Sequence, residues 1–142
     1  MYTYKYPRPA LTTDALILKK GTAEILLIQR GIDPFKGQWA LPGGFVEMDE
    51  ELAVACKREL QEETGLDIPT VEQFRVYDKV DRDPRGRTIS VVFYGFVEKD
   101  AEVKGGDDAA EAAWFKLDKL PELAFDHAQI IKDFFTLLGG LR

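Results

Sequence analysis

Apolar residues recur along the chain in two rhythms, and the changes of rhythm mark out its elements. Ala10 to Lys19 and Ala23 to Gln29 are apolar runs separated by Lys20-Gly21-Thr22, which predicts a hairpin through a short glycine-containing loop. Gln38 to Leu41 reads as a short strand, after a loop at Gly31 to Gly37 marked by its glycines and proline. Val71 to Val80 and Thr88 to Val97 are rich in β-branched and aromatic residues and predict two strands; Asp81 to Arg87 forms a turn between them. Asp100 to Asp108 is polar and reads as a loop, and Ala112 to Leu117 predicts a last strand, ended by Asp118-Lys119-Leu120-Pro121.

Two stretches follow the helical rhythm. From about Glu50 to Thr64, Asp49 supplies an N-cap, Glu50 and Glu51 suit the positive end of the helix dipole, and Gly65 suits the left-handed position after the last turn. From Asp126, another N-cap, to about Leu138, Ile130, Ile131, Phe134, Phe135, Leu137 and Leu138 make a broad apolar face, with Gly139 as a stop. Two helices and five or more strands in this order predict an α/β (α+β) fold, with a mixed sheet carrying helices on both faces. No repeat, low-complexity tract or linker divides the chain, so residues 1–142 are expected to form one domain.

Composition narrows the function. The 142 residues suffice for one core, and 45% hydrophobic with 31% charged residues is ordinary for a globular protein. A net charge of −6 argues against a nucleic-acid backbone or an anionic membrane as partner, so an anionic substrate would need local arginines or a metal. The N-terminal MYTYKYPRPA lacks the apolar segment of a signal peptide, and no apolar run is long enough to span a bilayer, which predicts a cytoplasmic protein. The single cysteine, Cys56, cannot form an internal disulfide; near Leu52 and Leu60 on the apolar side of the first helix, it reads as core.

The chemistry gathers on the first helix. Glu59, Glu62 and Glu63 are spaced i, i+3 and i+4 and share an arc of about 100°. Such clustering costs about 0.2–0.5 kcal/mol per like-charged pair unless a cation compensates, and Arg58 offsets part of it. Carboxylate oxygens suit a hard divalent ion, so a Mg²⁺ site fits; the plainer reading is a solvated helix face.

The wider pattern decides between them. Gly44, Glu50, Arg58, Glu59, Leu60, Glu62, Glu63, Gly65 and Leu66 fill every fixed position of G-x5-E-x7-R-E-U-x-E-E-x-G-U, where U is aliphatic, so the stretch resembles the box of the Nudix hydrolase family. Trp39 to Gly44 and Glu47 add to the likeness, and Asp49 stands where many members carry glycine. The resemblance implies an αβα sandwich with a central mixed sheet, and a Mg²⁺- or Mn²⁺-dependent hydrolase that cleaves a nucleoside diphosphate joined to a group X. Carried over to these positions, it implies Glu59, Glu63, the further ligand or base Glu62 and the Gly43 carbonyl as the metal site. Arg58 would orient a box glutamate. A homodimer is also implied.

Tyr6 to Thr12, Asp81 to Arg87 and Leu123 to Ala128 look like the ADP-ribose pyrophosphatase branch, so the expected reaction is ADP-ribose to AMP and ribose 5-phosphate. Arg82, Arg85 and Arg87 are the candidate substrate-binding residues, because a guanidinium fork binds phosphate oxygens bidentately; a solvated turn is the plainer reading. Glu50, about 180° from Glu59 on a continuous helix, is expected to be structural. Glu47 is undecided, and Glu111 is a candidate base outside the box. His127 is expected to be structural, and Trp39 and Phe35 more often pack than stack a base. A second class remains, a domain that senses ADP-ribose, as in related transcriptional regulators. Those need a DNA-binding module, and after Leu117 this chain has one predicted helix. An isomerase or base-removing enzyme of the same fold finds no support in the residues.

Overall fold

Alternation along the first strand sorts its side chains onto two faces, and each face is covered by one helix. The computed structural model describes residues 3–106 and 109–140. Their elements, in order, are β1 (Ala10–Lys19), β2 (Glu24–Arg30), β3 (Trp39–Ala40), β4 (Gly43–Phe45), α1 (Leu52–Thr64), β5 (Glu72–Tyr77), β6 (Thr88–Val97), β7 (Ala109–Lys116) and α2 (His127–Gly140). Ala15 and Ile17 of β1 join Leu26, Phe93, Cys56 and Leu60 in one apolar cluster, under α1. Leu16 and Leu18, pointing the other way, join Ile25, Leu27, Val92, Ile130, Ile131 and Phe134 in a second, under α2. The mixed sheet lies between the two helices, as the pattern predicted.

The sheet runs β3-β2-β1-β6-β5, with β4 also paired to β1 and β7 to β2. β1 and β6 are parallel and in register from Ala10↔Thr88 to Lys19↔Val97. The other pairings are antiparallel. β1 changes partner along its length: Leu18 pairs with Ile25 of β2, whereas Thr12, Thr13 and Asp14 pair with Phe45, Gly44 and Gly43 of β4. The change opens a fork beside Asp14.

Several boundaries differ from expectation for local reasons. The hairpin and β6 lie where predicted, with Gly21 left-handed at φ 75 in the hairpin loop. β4 carries too few residues, two of them glycine, to leave a strand signal. β5 is shorter than Val71 to Val80, and β7 starts earlier than Ala112, at Ala109. Of the loop expected over 100–108, Asp107 and Asp108 lie outside the described residues.

Asp49 does not cap α1, and Glu50 and Glu51 are not in its first turn. Glu50 closes a turn on Glu47, whose N–H it takes at 2.9 Å, and its carboxylate is drawn to Arg58. The helix therefore starts at Leu52, with Glu51 extended before it and no side-chain cap. Its end is as expected: Gly65 is left-handed (φ 74) and donates to the Gln61 carbonyl. Gly139 does not stop α2, which runs through it to Gly140.

Candidate active site

The fork beside Asp14 opens into a cavity of about 310 Å³, whose lining includes Asp14, Arg30, Gly43, Gly44, Phe45, Glu47, Arg58, Glu59, Glu63, Arg82, Arg85, Phe125 and His127. Its floor is the loop into β4, pinned from three directions. Leu41 N–H donates to His127 Nδ1 at 3.0 Å, the Pro42 carbonyl accepts from Ala15 N–H at 2.8 Å, and Gly43 N–H donates to Glu63 Oε1 at 2.8 Å. Both positions that follow are crowded, Gly43 by backbone and Gly44 by a side chain. A Cβ on Gly43 would lie 2.1 Å from the Thr13 carbonyl oxygen, and one on Gly44 would lie 2.6 Å from the Glu59 carboxylate.

The box carboxylates occupy different environments. Glu63 is buried, and burial pushes its carboxyl well above the usual carboxylate range; the neighbouring Glu59 and Asp14 charges add to this, against the Gly43 N–H and Arg30, which favour the anion. Glu59 and Glu62 both accept from Arg58 Nη1, at 2.9 and 3.0 Å. The other arms of Arg58 hold Glu50, through Nε at 2.9 Å and Nη2 at 2.6 Å. Contrary to the expectation from a continuous helix, Glu50 does not lie across a helix from Glu59: it precedes α1 and reaches the acidic cluster through Arg58. That arginine brings its carboxyl down to about 2.

The turn 81–87 brings two of its three arginines to the same cavity. Arg82 is buried and bidentate on Asp126, at 2.9 and 2.7 Å, with Asp14 at 3.9 Å. Asp126 thus spends its carboxylate on Arg82 at the start of α2. Arg85 is partly exposed, with Nε and Nη2 on Asp83 at 3.1 and 2.8 Å. Arg87, which donates to the Asp78 carbonyl, does not line the cavity. Glu62 is also outside the lining, and so is Glu111 of β7, which pairs with Gln29 of β2.

His127 accepts from Leu41 through Nδ1, so Nε2 carries the ring hydrogen and faces Asp14 Oδ1 at 3.6 Å. Burial disfavours the Asp14 anion, but His127, Ser90 and Arg82 outweigh it and hold the carboxyl below its ordinary range. Trp39 packs edge-on against Phe115, and Phe35 against Phe125, each at 4.7 Å. Cys56 is buried, its thiol pushed up to about 12, as befits a core residue.

Among the described residues, no three His, Cys, Asp or Glu side chains stand close enough together to hold an ion as they are placed. The donor chemistry nevertheless fits a hard divalent cation. The carboxylates of Glu59 and Glu63 are hard oxygen donors in one cavity, and Glu63 is buried beside like charges that a cation would offset. Asp14, Arg30 and Phe125 were not singled out as site residues by pattern. Asp14 did leave a signal, as the one acidic residue within the apolar run Ala10 to Lys19.

The NUDIX domain family matches residues 8–134. Over 136 residues the chain is 52% identical to the ADP-ribose pyrophosphatase of Methanocaldococcus jannaschii, covering 95% of this chain and 78% of that protein. It is 37% identical over 141 residues to the ADPR responsive transcriptional repressor NtrR of Acinetobacter baylyi, covering 95% of this chain and 56% of the repressor. Among solved structures, the NUDIX domain of Shewanella oneidensis NrtR complexed with ADP ribose superposes with a TM-score of 0.87 at 30% identity, over 96% of this chain and 94% of that one.

Proposed function

The chain belongs to the Nudix family, and on that premise we propose that it hydrolyses ADP-ribose to AMP and ribose 5-phosphate with a divalent metal, Mg²⁺ or Mn²⁺. The observation that carries this reading is one cavity lined both by the α1 carboxylates of Glu59 and Glu63 and by the guanidinium groups of Arg30, Arg82 and Arg85. Glu59, Glu63 and the Gly43 carbonyl would hold the ion, with Glu62, outside the lining, tied to them through Arg58 as a further ligand or base. The ion, when bound, would neutralise the diphosphate oxygens and lower the pKa of a water. The residues themselves position: Arg58 holds Glu59 and Glu62 through a single nitrogen and is itself anchored on Glu50, so the cluster is ordered before substrate arrives. Of the three turn arginines, we assign substrate contact to Arg85, which lines the cavity and is partly exposed, and holding of the turn to Arg82, which is bidentate on Asp126.

The likeness to the repressor favours a second reading, in which the chain binds ADP-ribose as a sensor. One panel separates the two. ADP-ribose, sugar nucleotides, NADH, dinucleoside polyphosphates and nucleoside triphosphates are incubated with Mg²⁺ and Mn²⁺, and products are scored. Release of AMP and ribose 5-phosphate in preference to other turnover supports the hydrolase. Tight ADP-ribose binding without turnover supports the sensor.

We also read residues 1–142 as one domain that works as a cytoplasmic homodimer on a small nucleotide, with no nucleic-acid or membrane partner. The net charge of −6 supports the last part, and no helix among the described residues is long and apolar enough to cross a membrane. Light scattering on the purified chain tests the dimer.

A further inference from the structure

The chain from Gln38 to Gly43 is held along both of its edges. Toward the sheet, Arg30 N–H donates to the Gln38 carbonyl and Ala15 N–H to the Pro42 carbonyl, both at 2.8 Å. Bonded and unbonded pairs alternate along an antiparallel ladder, so Gly43, opposite Asp14 and next to the bonded pair of Ala15 and Pro42, turns its own N–H and carbonyl away from β1. On that outer edge runs the segment 122–127. Trp39 N–H donates to the Glu122 carbonyl at 3.4 Å, Ala124 N–H donates to the Trp39 carbonyl at 2.8 Å, and Trp39 bridges Leu123 in parallel.

A parallel ladder continued from this bridge would offer Leu41 N–H the Ala124 carbonyl. That carbonyl accepts from His127 N–H instead, at 3.2 Å, where α2 begins. The imidazole takes its place: Leu41 N–H donates to His127 Nδ1 at 3.0 Å, across 86 residues of sequence. Two residues on, Gly43 N–H donates to Glu63. Leu41 and His127 are both buried, so bulk water is no substitute for the ring nitrogen, and a lost acceptor leaves an unpaired N–H.

Packing alone does not call for histidine here. The ring rests on Phe125 with centroids 5.3 Å apart, a contact that an apolar ring would also make. What an apolar ring lacks is the acceptor, which exists only while Nδ1 is free of hydrogen. The buried Asp14 carboxylate, facing Nε2 at 3.6 Å, favours hydrogen on that other nitrogen, and Asp14 is itself fixed by the Ser90 hydroxyl on Oδ2.

We propose that His127 is a positioning residue of the metal site, acting through Leu41 N–H on the placement of Gly43. This rests on the hydrolase reading for the metal and deepens it. The acidic helix supplies side-chain oxygens, and His127 sets the stretch of backbone from which the Gly43 carbonyl would come. A ligand group on a loop that is free to shift binds metal more weakly, because the loop must then be ordered on binding.

The test uses the full chain, freed of metal, with His127→Phe and His127→Asn. Phe keeps a ring and loses the acceptor. Asn loses the ring and keeps an acceptor, since its amide oxygen is as many bonds from Cα as Nδ1 is. Mn²⁺ binding, followed by the paramagnetic resonance of the free ion, is expected to weaken about tenfold or more in His127→Phe and by no more than about threefold in His127→Asn. A packing role would give the reverse order, because Phe fills the space of the ring and Asn leaves it empty. Thermal midpoints check that each variant is folded at the temperature used. His127 is the sole histidine, so magnetic resonance of a chain carrying isotope-labelled histidine reads one ring, expected to hold its hydrogen on Nε2. Equal Mn²⁺ affinity in the two variants, or weaker binding in His127→Asn, overturns the proposal, as does a wild-type chain that binds no Mn²⁺ or a ring with its hydrogen on Nδ1. Should His127→Phe not fold, His127→Asn decides against wild type: affinity kept within about threefold supports the role, and a larger loss overturns it. Should the variants separate as expected while the wild type leaves ADP-ribose intact, the positioning role stands and the hydrolase reading falls.

Discussion

Gly43 and Glu63 meet across the base of the cavity, the backbone N–H of one donating to Oε1 of the other at 2.8 Å over 20 residues of sequence. This contact joins the loop into β4 to the last turn of α1. It also fixes one oxygen of a carboxyl group that burial works to keep protonated.

Glu63→Gln is therefore expected to preserve the fold, because an amide oxygen accepts from Gly43 as the carboxylate does. Turnover should fall at least about tenfold at saturating metal, each tenfold being about 1.4 kcal/mol of barrier. Circular dichroism with a rate assay across Mg²⁺ concentrations checks both halves. A smaller loss would remove Glu63 from the metal site.

Glu50→Gln should act on stability, and its signature is in acid. The Arg58 contact sets the folded-state carboxyl at about 2, below its unfolded value, so its contribution is full above pH about 4.5 and is lost as pH falls toward 2. Denaturation curves at pH 7 and pH 3 should show the variant less stable than wild type at neutrality, with the gap closing in acid. A gap that stays constant would show that the ionic pairing contributes nothing.

Arg82→Ala and Arg87→Ala should separate sharply although both sit in the same turn. Arg82 is buried between Asp126 and Asp14, and its removal leaves their charges uncompensated, at a cost of about 3–5 kcal/mol. Arg87 is exposed, and its loss should change stability by no more than about 0.5 kcal/mol. Urea midpoints on the two variants decide it, and comparable values would contradict the assigned role of Arg82.

Gly44→Ala and Gly43→Ala make a second contrasting pair. The new methyl at Gly44 meets the end of the Glu59 side chain, which can move, so activity should drop by about tenfold or more while the thermal midpoint shifts little. At Gly43 it meets the backbone of Thr13, which cannot move without parting β4 from β1, and about 3 kcal/mol of stability should go. Midpoints and kcat measured together would show the two losses in opposite proportion.

The elements with long periodic signals were legible in the sequence. β6 matches its predicted span, the hairpin matches within a residue, and α1 was placed with its correct end. The start of α1 was not, because local capping rules favour Asp49, whereas a bond from Arg58, eight residues beyond Glu50, pulls the acidic turn out of the helix. The arginine turn was legible as a cluster of charge, but not its division of labour. That division depends on Asp126, 44 residues from Arg82, which no local pattern connects to it. Arg30 and Phe125 went unnoticed as a pair for the same reason: one ends a strand and the other precedes a helix, and their contact exists only after folding.

The parallel register of β1 with β6 has a consequence for how the chain reaches its native state. β1 forms its hairpin with β2 from neighbouring residues, but the side it offers to β6 is filled by a strand that ends at Val97. During synthesis from the N-terminus, the middle of the sheet therefore stays an open edge until the residues through Val97 have been made. Such long-range pairing slows folding and leaves apolar strands exposed to other chains meanwhile. Mutations that weaken β6 should then show themselves first as aggregation of newly made protein, before any loss of activity in the molecules that do fold.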